Sequence, residues 1–202
     1  SNGQEHLAIL TTTDLQLVDT SDNSVSFVDL NSNSSVVASS GSLVAVSEKS
    51  ESGPLVNITS IDSELTISIP LDPRSSERIE ASIVNSGTNL DFQNSTIVDL
   101  VMDSNWLVAT VDVGPFNRTI LVDTLSINQT LISNPRWDSS SPSIGEGRVA
   151  FLQVTRDDIL SITSSSPRNN DVYVHDLESG ETSQYTFDEE ISQTQPQILF
   201  DR

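Results

Sequence analysis

The sequence predicts an all-β protein, a small β-propeller. Three observations carry that prediction. Apolar residues come in short runs of Val, Ile and Leu, separated by clusters of Ser, Asn, Asp and Gly, which is the pattern of strands and turns. Helical periodicity is nearly missing. A four-part strand motif recurs on a spacing of roughly 40 residues, the period of propeller blades. Alternating strands alone would also suit a β-sandwich, the alternative fold; the recurring four-part unit favours the propeller. At 202 residues the chain is read as one domain spanning residues 1–202, a length common for single all-β domains.

The elements follow in chain order. "HLAILTTTDLQLVDTSDNSVSFVDL" (residues 6–30) reads as three antiparallel strands, B, C and D of a blade that lacks its inner strand A. "SVVASSGS" is the next inner strand and its small-residue turn. "GSLVAVSEKSESGPLVNITSIDSELTISIP" (41–70) completes that blade. "STIVDLVMDSN" and "NWLVATVDVGPFNRTILVDTLSINQTLIS" (105–133) repeat the unit. "SPSIGEGRVAFLQV" and "NDVYVHDLESGETSQYTF" repeat it again. In "NDVYVHD", Val172 and Val174 face one side of the strand, Tyr173 and His175 the other.

Each strand C ends on a pair: Val18-Asp19, Ile58-Thr59, Val122-Asp123 and His175-Asp176. Asp or Thr there can bond the turn backbone, and Asn23, Ser63, Asn128 and Gly180 are expected to turn the chain. Residues 70–94 fit least well. "RIEASIVNSGTNLDFQN" is read as an A–B hairpin of a reduced blade, because "IVNSGTNLDF" echoes "VASSGSLVAV". Counting it, about five blades are expected; read as an insertion instead, the stretch leaves four. The final "QTQPQILFDR" reads as a lone strand A. Ile198, Leu199 and Phe200 are expected to pair with residues 7–10 and close the ring, removing open edges.

Residues 141–202 resemble the TolB-like propeller repeat of prokaryotic periplasmic and cell-surface proteins. The resemblance rests on "SPSIGEGRVAFLQ", "NNDVYVHDLESGETSQYTFDEE" and "QTQPQILFDR". These match a Pro-led inner strand, a Gly turn, an Asp-Val-Tyr-Val strand, an Asp-Leu-x-x-Gly turn and a Thr-rich outer strand. The resemblance implies a propeller of an extracytoplasmic protein, in a family that includes binding and assembly proteins and propellers attached to peptidases. Its motifs are scaffold motifs and carry no catalytic residue.

Composition narrows the function. The formal charge is −20, and Lys49 is the one lysine. Such a surface repels phosphate backbones, so nucleic acid is not expected as a partner. With no cysteine, disulfides, thiolate metal sites and cysteine nucleophiles are excluded. No apolar run is long enough to span a membrane. Ser1-Asn2 reads as the remnant of a cleaved tag on a piece of a longer precursor.

Site candidates are few. His175 fills a slot held by Val18, Ile58 and Val122 in the other units, so it reads as a packing residue. His6 reads as a strand-end residue. Asp99, Asp103, Glu146 and Asp201 lie on or near inner strands, where paired carboxylates could hydrolyse glycosidic bonds. Calcium is the ion that the charge favours, although no EF-hand-type loop is present; "TRDD" (155–158) and "FDEE" (187–190) are short acidic clusters. Trp137, the one aromatic in a long polar loop, is the candidate ligand contact. Asn33, Asn94, Asn117 and Asn128 are candidate N-glycosylation sites; Asn57 also sits in a sequon but inside a predicted strand. The expected function is a non-enzymatic protein- or glycan-binding domain of an extracytoplasmic or cell-surface protein. The alternative is a carbohydrate-active hydrolase using channel carboxylates.

Overall fold

The structure, a computed structural model, describes residues 6–10, 14–19, 25–29, 34–63, 65–154, 170–186 and 193–198. It is built of four antiparallel meanders. The first has three strands, β1 (His6–Leu10), β2 (Asp14–Asp19) and β3 (Val25–Asp29). The second joins β4 (Ser34–Ser40), β5 (Leu43–Ser50), β6 (Gly53–Ser60) and β7 (Thr66–Pro70). The third joins β8 (Thr96–Asp103), β9 (Trp106–Asp112), β10 (Asn117–Asp123) and β11 (Asn128–Leu131). The fourth joins β12 (Asp138–Gly145), β13 (Arg148–Val154), β14 (Asp171–Asp176) and β15 (Thr182–Gln184). Each sheet runs in sequence order, as a propeller blade does.

The sheets β4–β7, β8–β11 and β12–β15 stack face to face. Register puts Ala45, Val56, Ile58 and Ile69 on one face of the β4–β7 sheet. They pack into one core with Leu100, Leu107, Ala109 and Ile120 of the β8–β11 sheet. The opposite face of that sheet presents Val108 and Leu121, which pack on Val149, Phe151 and Tyr173 of the β12–β15 sheet. A middle strand pressed from both sides needs apolar residues at consecutive positions. "LVAV", "WLVATV" and "RVAFLQV" meet that need, and Val44, Ala45, Leu107, Val108, Val149 and Phe151 are all buried. At about 1.5–3 kcal/mol per buried Val, Ile, Leu or Phe, these layers dominate the stability. The inner strands β4, β8 and β12 lie side by side: β4 meets β8 and β8 meets β12.

Residues 78–94 do not form the expected hairpin of a reduced blade. Glu77–Asn85 is an α-helix, α1, and among the described residues the sheets number four. Ile79 and Ile83, four apart, share one helical face and join the first core. Glu77 and Glu80 lie in the first turn, where a helix favours negative charge. Arg118, fully buried on β10, anchors this insertion. Its guanidinium donates to Glu80 Oε1 at 2.8 Å and to the carbonyls of Pro73 (2.7 Å) and Pro135 (2.8 Å). The Phe92 ring lies over it at 5.6 Å.

The turns follow the expected chemistry with one shift. Asp176 Oδ1 accepts the N–H groups of Glu178 and Ser179, and Gly180 has φ +72°. Asp123 accepts from the Leu125 N–H and the Ser126 hydroxyl in the same way. The left-handed residue of that turn is Ile127 (φ +60°), not Asn128.

Gln193–Ile198 runs beside β12, where the Ile198 N–H donates to Ser143 Oγ at 3.1 Å. Leu199 and Phe200, which the ring-closing pair requires, lie outside the described residues, as do Asn23, Asn33 and Asp201.

Candidate functional site

Two concave sites lie where the β8–β11 and β12–β15 sheets meet. The first is a groove of about 550 Å³ at the end that carries the β8–β9 and β12–β13 turns. Its floor holds Trp106. Register places Asp103 and Asp123 beside Trp106 in the same cross-strand row. Trp106 is half-buried, with part of its ring against the Val108–Phe151 core. Asp103 lines one wall, and Glu146, Asp176 and Glu178 line the other. Arg148 is the one cation of the lining, and its Nε stands 3.7 Å from Asp176 Oδ2. Hydrogen bonds from the backbone N–H and hydroxyl of Ser179 hold the Asp176 carboxyl below the usual range. The groove is therefore a negatively charged slot with an indole at its base.

The second site is a cleft of about 390 Å³ between β8, β12 and the segment Gln193–Ile198. Asp99 is its charged group. Burial pushes the Asp99 carboxyl up, partly opposed by the Leu100 N–H, which donates to Oδ1 at 2.9 Å. Asp99 and Asp103 are four residues apart on β8, roughly 13 Å along the strand. That exceeds the 6.5–9.5 Å or so that an inverting carboxylate pair needs. The structure thus assigns Asp99 to one site and Asp103 with Glu146 to the other.

His175 is buried, its Nδ1 2.8 Å from Thr182 Oγ1, and burial holds its pKa below the ordinary value against the nearby Asp176 charge. Trp137 is half-buried and meets Tyr173 edge-on, with centroids 5.9 Å apart, between two sheets. Asn94 and Asn128 are exposed, Asn94 donating to Asp91 Oδ2 at 2.9 Å. Asn117 precedes the fully buried Arg118 and Thr119 of its own sequon. Asn57 accepts from the Ser68 hydroxyl at 2.6 Å. Among the described residues no three His, Asp or Glu side chains gather closely enough to hold a metal ion, and "TRDD" and "FDEE" lie outside them. Trp106, Asp176 and Glu178 were not candidates from sequence. "MDSNW" contains the signal: a two-residue turn sets Asp103 opposite Trp106 in register.

No family model and no curated protein matches the chain. Solved structures do, and they define its class as a β-propeller. The tricorn protease superposes with TM-score 0.61 at 14% identity, covering 90% of this chain and 16% of that one. The β-propeller domain of the Trilobed protease from Pyrococcus furiosus, described as having an open velcro topology, gives 0.55 at 14%, covering 86% and 48%. TolB from Acinetobacter baumannii gives 0.54 at 10%, covering 90% and 40%. The chain thus spans less than half the length of each. At these identities the likeness concerns the fold.

One expectation is corrected here. The chain was expected to be non-enzymatic because its repeat contains no catalytic motif. A protease carries the same fold, so a motif-free propeller repeat does not separate binding proteins from enzymes. Among the described residues no helix is long and apolar enough to cross a membrane.

Proposed function

We propose that this chain is a TolB-like interaction module of an extracytoplasmic protein, and that its acidic groove takes a lysine- or arginine-bearing segment of a protein partner. One observation carries the reading: Trp106 lies half-buried between carboxylates on both walls of a groove with a single cation. An indole face attracts a cation by about 0.5–2 kcal/mol, and carboxylate walls steer positive partners and reject nucleic acid. The formal charge of −20 acts in the same direction. The sequence resemblance to TolB-like repeats and the propeller fold supply the context of binding and assembly. In this reading the chain closes its ring through residues 198–200 and 7–10.

A titration with an Arg/Lys-rich peptide, followed by Trp fluorescence and calorimetry, tests it. Saturable binding is expected, weakened severalfold by Trp106→Ala, by Asp103→Asn with Glu178→Gln, and by raised salt. Binding that ignores these variants sinks the reading. A glycan array run alongside distinguishes a sugar ligand, whose binding would depend on Trp106 and not on salt. No cofactor is expected from the sequence, and calcium chloride in the same titration tests whether the ion that the charge favours binds at all.

A further inference from the structure

The cleft at Asp99 is separate from the acidic groove, and its chemistry points elsewhere. Asp99 is half-buried on β8. Its carboxylate accepts the neighbouring Leu100 N–H and, among the described residues, has no other hydrogen bond and no ion pair. Among the described residues, no Arg, Lys or His lines the cleft. A charge partly withdrawn from water without a counter-ion is costly, and burial correspondingly raises its pKa. Two non-glycine residues of the lining, Ser141 (φ +51°) and Gln195 (φ +47°), adopt left-handed backbone, which costs about 1–2 kcal/mol each. Ser141 lies in a β-bulge between Ser140 and Ser143, a device that re-aims side chains near sites.

We propose that this cleft binds a primary alkylammonium group, supplied by a lysine side chain or by a peptide N-terminus. The ammonium supplies the missing counter-charge to Asp99. Its remaining donors have hydroxyl and amide oxygens available at Ser141, Gln195 and Gln197, and Val101 and Met102 offer an apolar wall to the alkyl stem. One carboxylate is too few for calcium, which takes six to eight or so oxygen ligands. A guanidinium grips best with two parallel bonds to both oxygens of a carboxylate; the Leu100 N–H already takes one acceptor position on Oδ1, so a compact ammonium, which needs a single contact, is the better match. Protons compete with the ligand for Asp99, so binding strengthens as pH rises through the titration of that carboxyl.

An amide-resolved NMR titration tests this with N-acetyl-lysine methylamide for the side chain and glycinamide for the N-terminus. N-acetyl-arginine methylamide and sodium chloride at matched ionic strength are the controls. Saturable shifts at Leu100, Ser141 and Ser143 with at least one ammonium probe are expected, and the stronger probe identifies the source. Asp99→Asn should weaken binding tenfold or more, whereas Trp106→Ala should leave it unchanged, which separates this site from the groove. Equal shifts with sodium chloride, equal or tighter binding of the arginine analogue, or unchanged binding by Asp99→Asn would each overturn the proposal.

Discussion

Ile127 shows how a single backbone angle can oppose a side chain. The Ile127 N–H closes its turn on the Asp123 carbonyl, as the Gly180 N–H does on Asp176. Both residues are left-handed, at φ +60° and +72°. Glycine adopts that region freely, but a β-branched residue does so at a cost of about 1–2 kcal/mol. Ile127 is exposed and has little packing to lose. Ile127→Gly should therefore raise stability by about 1 kcal/mol, read as a higher urea midpoint with unchanged m-value. The turn was legible in the sequence from its leading Asp. The left-handed position was not, because Asn128 is the better αL former and stands one residue away. His175 offers a second test. It pairs with Val149 where Val122 pairs with Leu107 and Ile58 with Ala45. Burial depresses its folded-state pKa, so the unfolded chain binds its proton first. Its contribution is present above about pH 6.5 and is lost as pH falls through the folded value. His175→Val should flatten stability between about pH 7 and pH 5; an unchanged slope would mean that another group sets it.

At the scale of elements, α1 is where sequence reading failed. "RIEASIVN" is rich in β-branched residues, and those dominate the strand pattern. Its helical signals are the i, i+4 pair Ile79 and Ile83 and the acidic first turn, short for a nine-residue element. The deciding contact is distant in sequence: Arg118 on β10 binds Glu80. No local pattern announces that. Arg118 side-chain exposure is 0% and that of Glu80 is 14%, so removing one partner leaves a buried charge. Arg118→Ala should cost roughly 3–5 kcal/mol. Burial opposes ionisation of Glu80, yet the hydrogen bonds from Arg118 and Ser75, with the Arg118 charge, prevail and hold its pKa below the ordinary value. With the folded value depressed, the stabilisation is present above about pH 4.3 and disappears as pH falls through the folded pKa. Glu80→Gln should lower stability at pH 7 and remove this part of the acid transition. The acidic groove was legible only in part. Asp103 and Glu146 were seen as carboxylates, but the partnership with Trp106, Asp176 and Glu178 needs two sheets brought face to face.

At the scale of the whole molecule, the last three sheets form a stack in which each inner strand lies beside the next: β4 by β8, β8 by β12, and the segment Gln193–Ile198 by β12. The repeat made this order readable in advance, because each unit supplies the same apolar faces. The segment holds Ser143 through the Ile198 N–H and forms one wall of the Asp99 cleft. Without it, the inner edge of the last sheet opens to water, and the bulge at Ser140 and Ser143 loses a partner. Each sheet is stabilised by its interface with the next, and a single small domain usually unfolds in one transition, so damage at one edge should lower the global midpoint and not only local order. Removal of residues 195–202 should therefore lower the urea midpoint of a single cooperative transition. It should also raise hydrogen exchange at β12 first, since that strand borders the lost segment. Exchange confined to residues 193–194, with the midpoint unchanged, would show that the segment rests on the fold without supporting it, and the ring-closing role proposed for residues 198–200 would fall with it.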